Sequence, residues 1–425
     1  MPAGADRGGL MFLELFKSQS LRAATALGFG GVAFTLSNLV LARILPSREY
    51  AIVCLVIGIV SVAGLAAPMG LDLVLGRQGL RLDAAFRRVI LGICTAMAVL
   101  TTVVTAIFYH LELSLLMCVF AATVASGVTQ AIAGHFQGQR QFGAAVWMLQ
   151  LSNWTLLVAA LLTACFGKRT ALVPCVLIAV AGMLGAVVAW RRVARNRDAG
   201  SAGAQPKPTS VLGEALSLVA IHTSNSVFLQ LERLLLAPLV GVQALALFGV
   251  VAALVGSPFR MLQAAVLFTL TPNLRGARSV AERRRLLRRE GVHVAAVIGA
   301  GSLAIWLVAP PLAHGLLAGR YDLSAPLMMA ALTAGILKVC SAFATGIVIA
   351  LAPERSLRVL SMVSWATIGV SVGAALAAAP WGLVAVLYAI STGWLLRASI
   401  AAWMAIPHLR QRLPQAGSSP AHAAK

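Results

Sequence analysis

The stretch YAIVCLVIGIVSVAGLAAPMGLD, residues 50–72, carries no charge until Asp72. As a helix rising about 1.5 Å per residue it is long enough to cross roughly 30 Å of hydrocarbon. Backbone groups have no water to bond inside a bilayer, so a helix that pairs them internally is the form such a run takes. The same pattern recurs at 23–43, 89–108, 113–133, 144–166, 170–190, 214–236, 243–270, 291–309, 325–350, 358–378 and 382–404, which predicts an all-α membrane protein of about twelve transmembrane helices. Composition agrees, with 60% hydrophobic residues, 11% charged and a mean hydropathy of +0.89. A soluble domain carries about 25% charged residues, so that class is excluded.

Charge placement sets the topology. The chain has 34 Lys and Arg against 13 Asp and Glu, a net +21. The basic residues sit in short clusters between apolar runs, which argues against a nucleic-acid partner and for membrane lipids. Counting alternate sides puts 25 cations on one face and only Arg43, Arg48, Lys168, Arg169 and Arg320 on the other; four more lie within spans. The positive-inside rule then predicts cytoplasmic termini in a multi-pass membrane protein. The first run is too long for a cleavable signal, so it is expected to stay as an anchor. The polar, Gly/Pro/Ala-rich stretch 191–212 reads as a cytoplasmic linker. It divides a six-helix lobe, 1–190, from a second, 213–405, with a flexible tail at 406–425. A shift of 195 residues lays Leu39, Leu41, Ala42 and Ala51 on Leu234, Leu236, Ala237 and Ala246, a weak match that accidental likeness between hairpins explains equally well. The six cysteines read as small buried hydrophobes, with no CxxC pair and no metal site.

Charged groups inside spans are expensive, and by default they mark function. The seventh run carries most of them. At 100° per residue His222, Asn225, Ser226, Gln230, Glu232 and Arg233 share an arc of about 160°, opposite Val227, Phe228, Leu231 and Leu234. Two readings are open: a stripe bonded between helices, or the lining of a water-filled cavity. Under the 195-residue shift Ser226, Gln230 and Arg233 fall on Gly31, Thr35 and Asn38, so Thr35 and Asn38 join the candidate lining. Gly28, Gly30 and Gly31 serve equally as a close-packing patch. Arg260, followed by Gln263, and Lys338 lie near mid-membrane. They either pair with Glu232 or backbone, or hold an anionic substrate. Arg397, nearer the inner end, is expected to snorkel to the headgroups. Glu232 is the only carboxylate well within a span, with Asp72 at the inner end of the second. These two are the candidate ion-coupling groups, though Glu232 is slightly better suited as a structural partner to an arginine. Several cations around one acid favour phosphate or pyrophosphate over a cationic drug. The segment SVAERRRLLRRE, 279–290, has a capping-box start and reads as a basic interfacial helix.

Three stretches carry a family resemblance. SNLVLARILPSREYAIVCLVIGIVSVAGLAAPMGLDLVLGRQ from Ser37, FLQLERLLLAPLVGVQALALFGVVAAL from Phe228 and LLAGRYDLSAPLMMAALTAGI from Leu316 resemble the polysaccharide-synthesis branch of the multidrug/oligosaccharidyl-lipid/polysaccharide exporter superfamily, the lipid-linked oligosaccharide flippases. The motifs are diffuse, and Glu232 stands where the family often has Asp. The resemblance implies two six-helix lobes around a central cavity that opens alternately to each face. It further implies an undecaprenyl-pyrophosphate-linked oligosaccharide as cargo, proton or sodium coupling without a bound cofactor, and a polysaccharide polymerase with its chain-length machinery as partners. The murein-precursor flippases are similar in kind but carry two more helices. A multidrug exporter of the same superfamily is the main alternative. A membrane polymerase or transferase would need catalytic groups on a sizeable loop, and the connection Pro310 to Ser324 is too small, so no enzyme is expected.

Overall fold

The computed structural model describes residues 19–80, 82–139, 141–167, 169–195, 208–277 and 279–410. Among them every regular element is helical: α1 (Gln19–Ile44), α2 (Ser47–Ala66), α3 (Leu71–Gln78), α4 (Ala84–Tyr109), α5 (Leu113–Gly138), α6 (Phe142–Phe166), α7 (Leu172–Arg195), α8 (Pro208–Leu239), α9 (Val242–Val251), α10 (Ser257–Gly276), α11 (Val280–Leu317), α12 (Ala325–Leu351), α13 (Glu354–Ala378) and α14 (Leu383–Arg410). Ten stretches are long and apolar enough to cross a membrane, α9 and α10 counting together as one. The other two expected runs fall on α1, whose described apolar part Gly28–Ile44 is shorter, and on α8, which the polar residues of its face keep outside that set.

The ends of several runs differ from expectation. The second run does not continue to Asp72: α2 stops at Ala66, and Asp72 sits in the separate short helix α3. Pro68 has no N–H to continue the ladder, and Met69 (φ 51) and Gly70 (φ 78) both take the left-handed conformation. The basic segment 279–290 is not an independent interfacial helix. It forms the first turns of α11, 38 residues long, which begins where Ser279 Oγ accepts the Glu282 N–H at 3.1 Å. At about 1.5 Å per residue α11 is about 57 Å long, so it extends well beyond one bilayer crossing. Helix α7 runs to Arg195 and α8 begins at Pro208, both inside the expected linker, and α14 reaches Arg410 inside the expected tail. Residues 1–18, 196–207 and 411–425, which hold the termini and the middle of the linker, lie outside the described residues.

The eighth run is interrupted midway. Between α9 and α10 the chain forms a π turn, Ala252–Gly256. Pro258 follows it, and a proline ring collides with the carbonyl four residues back, which a wider turn relieves.

In the first half α6 lies along α1, and α5 packs against α3, α4 and α7; in the second, α12 packs on α10 and α14, and α14 on α13. The halves meet where α2 crosses α8 and α9 and where α1 meets α10. One apolar cluster runs through both halves, joining Tyr50 and Val53 of α2 to Phe228 and Leu236 of α8 and Val250 of α9. A second cluster, built on α3 to α5, takes in Val211 and Ala215 from the first turns of α8. Glycine permits the closest approach: a Cβ on Gly134 of α5 would collide with the Asp72 carbonyl. Cys54, Cys94, Cys118 and Cys175 are buried as expected, whereas Cys165 and Cys340 are exposed on the outside of the bundle.

Candidate functional site

The polar face of α8 grades from open to closed along the helix. His222 is exposed and Asn225 half-buried, then Ser226, Gln230, Glu232 and Arg233 are all buried. Glu232 is 2% exposed and Arg233 1%, so neither charge reaches the surface. Each needs compensation from within the protein.

Glu232 finds a partner on α12. Lys338 Nζ lies 2.5 Å from Glu232 Oε1, a charge-assisted hydrogen bond of strong geometry. Arg233, one residue on, points toward α1 and α2. It fits because position 58 is glycine; a Cβ there would stand 3.1 Å from the Arg233 Cβ. Its guanidinium lies 5.3 Å from the centre of the Phe34 ring, and Arg260 from α10 lies 5.2 Å from the same ring. One aromatic ring therefore serves two cations. Among the described residues of α8 the Arg233 guanidinium makes only a long hydrogen bond, 3.4 Å from Nη1 to Gln230 Oε1.

A second aromatic group lies behind Lys338. Phe228 and Trp394, both fully buried, stack at 4.0 Å with 7° between their planes. Lys338 lies 5.7 Å from the Trp394 ring centre, and Arg397 lies 5.6 Å from Trp394 and 5.9 Å from Phe228. Arg397 thus does not snorkel. At 3% exposure it is turned into the bundle, held by two rings that offer a softer environment than lipid.

Leu229, Glu232, Arg233, Arg260, Gln263 and Lys338 line a cavity of about 40 Å³. That is room for about one water, and too little for a pyrophosphate. Of the described rings and charged groups around it only Phe34 comes from the first half; the Phe228–Trp394 stack and the Glu232–Lys338 pair lie within the second. The charge balance is unequal: three cations, Arg233 buried and Arg260 and Lys338 half-buried, line the cavity with one carboxylate, and a fourth, Arg397, is buried against the adjoining rings. Arg233 Nε and Nη2, Arg397 Nε and Nη1 and Gln263 Oε1 are buried without a hydrogen-bond partner among the described residues. Such groups cost free energy until a ligand or water meets them.

The remaining candidates are placed less centrally. Thr35 Oγ1 donates to Gly31 O at 3.1 Å and across the seam to Ala253 O at 3.2 Å, a carbonyl of the π turn. Asn38 donates to Phe34 O at 2.8 Å and accepts from Tyr50 OH at 3.3 Å. Thr35 thus ties α1 to the π turn, and Asn38 joins the Phe34 carbonyl to Tyr50 of α2. Asp72 is buried, with Oδ1 unpartnered among the described residues, but it lies on α3 against α5. The structure therefore does not bring the two candidate coupling carboxylates together. Phe34, Phe228 and Trp394 leave no signal in the sequence, since an aromatic in an apolar run looks the same whether it meets lipid or a cation.

The halves are tied at the cation-poor face. Pro238, inside α8, cannot donate to the Leu234 carbonyl, and Tyr109 OH of α4 supplies the missing bond at 2.9 Å. Arg320, in the α11–α12 loop, donates to Leu45 O at 2.6 Å and to Arg43 O at 3.4 Å at the end of α1. Beside it Tyr321 meets Tyr50 edge-on at 6.4 Å.

No family model and no curated protein matches this sequence. Solved structures do match in fold. The lipid II flippase MurJ in an inward closed conformation aligns with a TM-score of 0.65 at 11% identity, over 90% of this chain and 86% of that one. A multidrug resistance MATE family transporter of the MOP superfamily aligns in its inward-facing conformation with a TM-score of 0.63 at 14% identity, over 92% of this chain and 98% of that one. An outward-facing conformation of a MATE family transporter of that superfamily gives 0.57 at 13% identity, over 92% and 94%. The chain has the fold these transporters share.

Proposed function

We propose that this chain is a flippase that moves an undecaprenyl-pyrophosphate-linked oligosaccharide across the bacterial inner membrane by alternating access, for assembly of a surface polysaccharide. One observation carries the reading. Arg233, Arg260 and Lys338 line one cavity with a single carboxylate that is already paired, Arg397 lies against the neighbouring Phe228–Trp394 stack, and guanidinium nitrogens of Arg233 and Arg397 are left unpartnered among the described residues. A diphosphate supplies the anionic acceptors this arrangement lacks, and arginine forks match its oxygens. The likeness in fold to a lipid II flippase agrees with a lipid-linked cargo.

The mechanism follows from the contacts that cross between the halves. Parting α1 and α2 from α8 and α10 separates Phe34 from Arg233 and Arg260 and exposes both guanidinium groups to the diphosphate. The sugar then occupies the space between the halves, while the polyprenyl chain stays in lipid. Rebinding of Tyr109 to the Leu234 carbonyl, and of Arg320 to the end of α1, closes the cation-poor face again. Cargo drives the exchange only through its different affinity for the two states. Glu232 is the candidate coupling group: protonating it, or binding a sodium ion to it in place of the Lys338 ammonium, breaks its pair with Lys338 and changes the balance between those states. Asp72 is a second, separate candidate. The product leaves to a polysaccharide polymerase with its chain-length partner.

The test is a pair of assays on the wild-type protein in proteoliposomes. A fluorescent polyprenyl-pyrophosphate disaccharide is expected to cross in a protein-dependent way, and ethidium, a cationic drug, is not. Ethidium transport without lipid-linked sugar transport would instead assign the chain to multidrug export.

A further inference from the structure

Only five cations belong to the cation-poor face, and three of them, Arg43, Arg169 and Arg320, line one open bowl of about 690 Å³. The bowl bridges both halves, with Pro46 and Thr163 on one side and Leu317 on the other, and no acidic residue lines it among the described residues. Arg320 is committed to the carbonyls at the end of α1. Arg43 and Arg169 are exposed, and their side chains have no hydrogen-bonding or ionic partner among the described residues. Helices α1, α6 and α11 end here, and each C-terminus brings about half a negative charge, which offsets only about half of three guanidinium groups.

A second feature leads to the same place. Phe29, Val32 and Leu36 of α1 are 60%, 50% and 47% exposed. With Val40 and Arg43 they fall within an arc of about 80° at 100° per residue, so one apolar stripe climbs α1 and ends at an arginine of the bowl. On a membrane-spanning helix this stripe lies against acyl chains.

We propose that the bowl binds the phosphate or pyrophosphate headgroup of an anionic lipid in the leaflet at the cation-poor face, with the lipid chain along the Phe29–Val32–Leu36 stripe. Arg43 and Arg169 provide free forks for the phosphate oxygens. Arg320 adds charge while holding the loop in place. The site is separate from the buried cluster and does not depend on the cargo assigned above.

The test uses the full-length protein in detergent micelles with native mass spectrometry as the readout. Dioleoylphosphatidic acid is the probe, dioleoylphosphatidylcholine the zwitterionic control, and inorganic pyrophosphate the lipid-free arm. Wild type is expected to retain phosphatidic acid over phosphatidylcholine. Arg43→Gln/Arg169→Gln should weaken that retention by about tenfold or more, as loss of charged hydrogen bonds implies, and Arg43→Lys/Arg169→Lys should keep most of it. Equal retention by wild type and the glutamine variant overturns the site. So does a glutamine variant with a lowered unfolding midpoint and unchanged lipid retention, because the arginines would then serve only the helix ends. Inorganic pyrophosphate binding as tightly as phosphatidic acid overturns the assignment to a lipid.

Discussion

Each half of the molecule encloses a small cavity, and the two differ in chemistry more than in size. In the first half Ser126, Thr129, Gln130, Ser152 and Thr155 contribute the polar lining of about 60 Å³ between α5, α6 and α7, with no charge. In the second, Glu232, Arg233, Arg260 and Lys338 line about 40 Å³. The threonine hydroxyl groups of the first are satisfied locally: Thr129 donates to Ala125 O at 3.0 Å and Thr155 to Ser152 O at 2.9 Å, both in their own helices. Guanidinium and ammonium groups have no such local remedy. They need an acid, a ring or a ligand from elsewhere, which is why the second cavity recruits Phe34 from across the seam and still has unpartnered nitrogens among the described residues. Each half therefore holds a cavity of similar size, and of the two only the second is lined by charge suited to an anion.

Four substitutions break or sharpen that contrast. The largest effect is expected from Lys338→Met, which leaves Glu232 buried without its counter-charge. Chemical unfolding in detergent should show a loss of about 3–5 kcal/mol. Lys338→Met/Glu232→Leu should recover most of that stability, since an apolar pair replaces an ionic one. Phe34→Leu comes next: it takes the shared ring away from both guanidinium groups, and the same unfolding measurement should fall by about 1–2 kcal/mol.

Tyr109→Phe strips the donor from the Leu234 carbonyl that Pro238 has already orphaned. A loss of about 1 kcal/mol is expected, together with faster labelling of a cysteine placed at Leu235, as the cation-poor face opens more often. Smallest is Thr155→Val in the neutral cavity, where the lost bond is local. A change of about 0.5 kcal/mol or less is expected, and a change as large as that of Phe34→Leu would erase the distinction between the two cavities.

Much of the fold is legible in the sequence because its governing rule is simple. Apolar runs of about 20 residues must be helices in a membrane, and their order along the chain survives in the structure. What hydropathy misses is local. The break at Pro68–Gly70 is written as Pro-Met-Gly inside an apolar run, and the π turn as Gly-Ser-Pro at 256–258, yet hydropathy alone reads through both. In the site, Glu232, Arg233, Arg260 and Lys338 stand out because charges in spans are rare. Their company does not. Nothing in the sequence distinguishes Phe34 or Trp394 from a lipid-facing aromatic. Arg397 reads wrongly because closeness to a helix end suggests an escape to the headgroups, while the direction of its side chain depends on rings that include one from a different helix. His222 fits the polar periodicity of α8 yet remains exposed, since periodicity marks a face and not how much of its length is covered.

The most direct trial of the central idea is the rate at which Arg233→Gln/Arg260→Gln flips a polyprenyl-pyrophosphate-linked disaccharide in proteoliposomes, at matched incorporation and with the unfolding midpoint recorded. If these guanidinium groups hold the diphosphate, the rate falls to the protein-free background while the variant remains folded. A folded variant that flips the lipid at the wild-type rate would contradict the account.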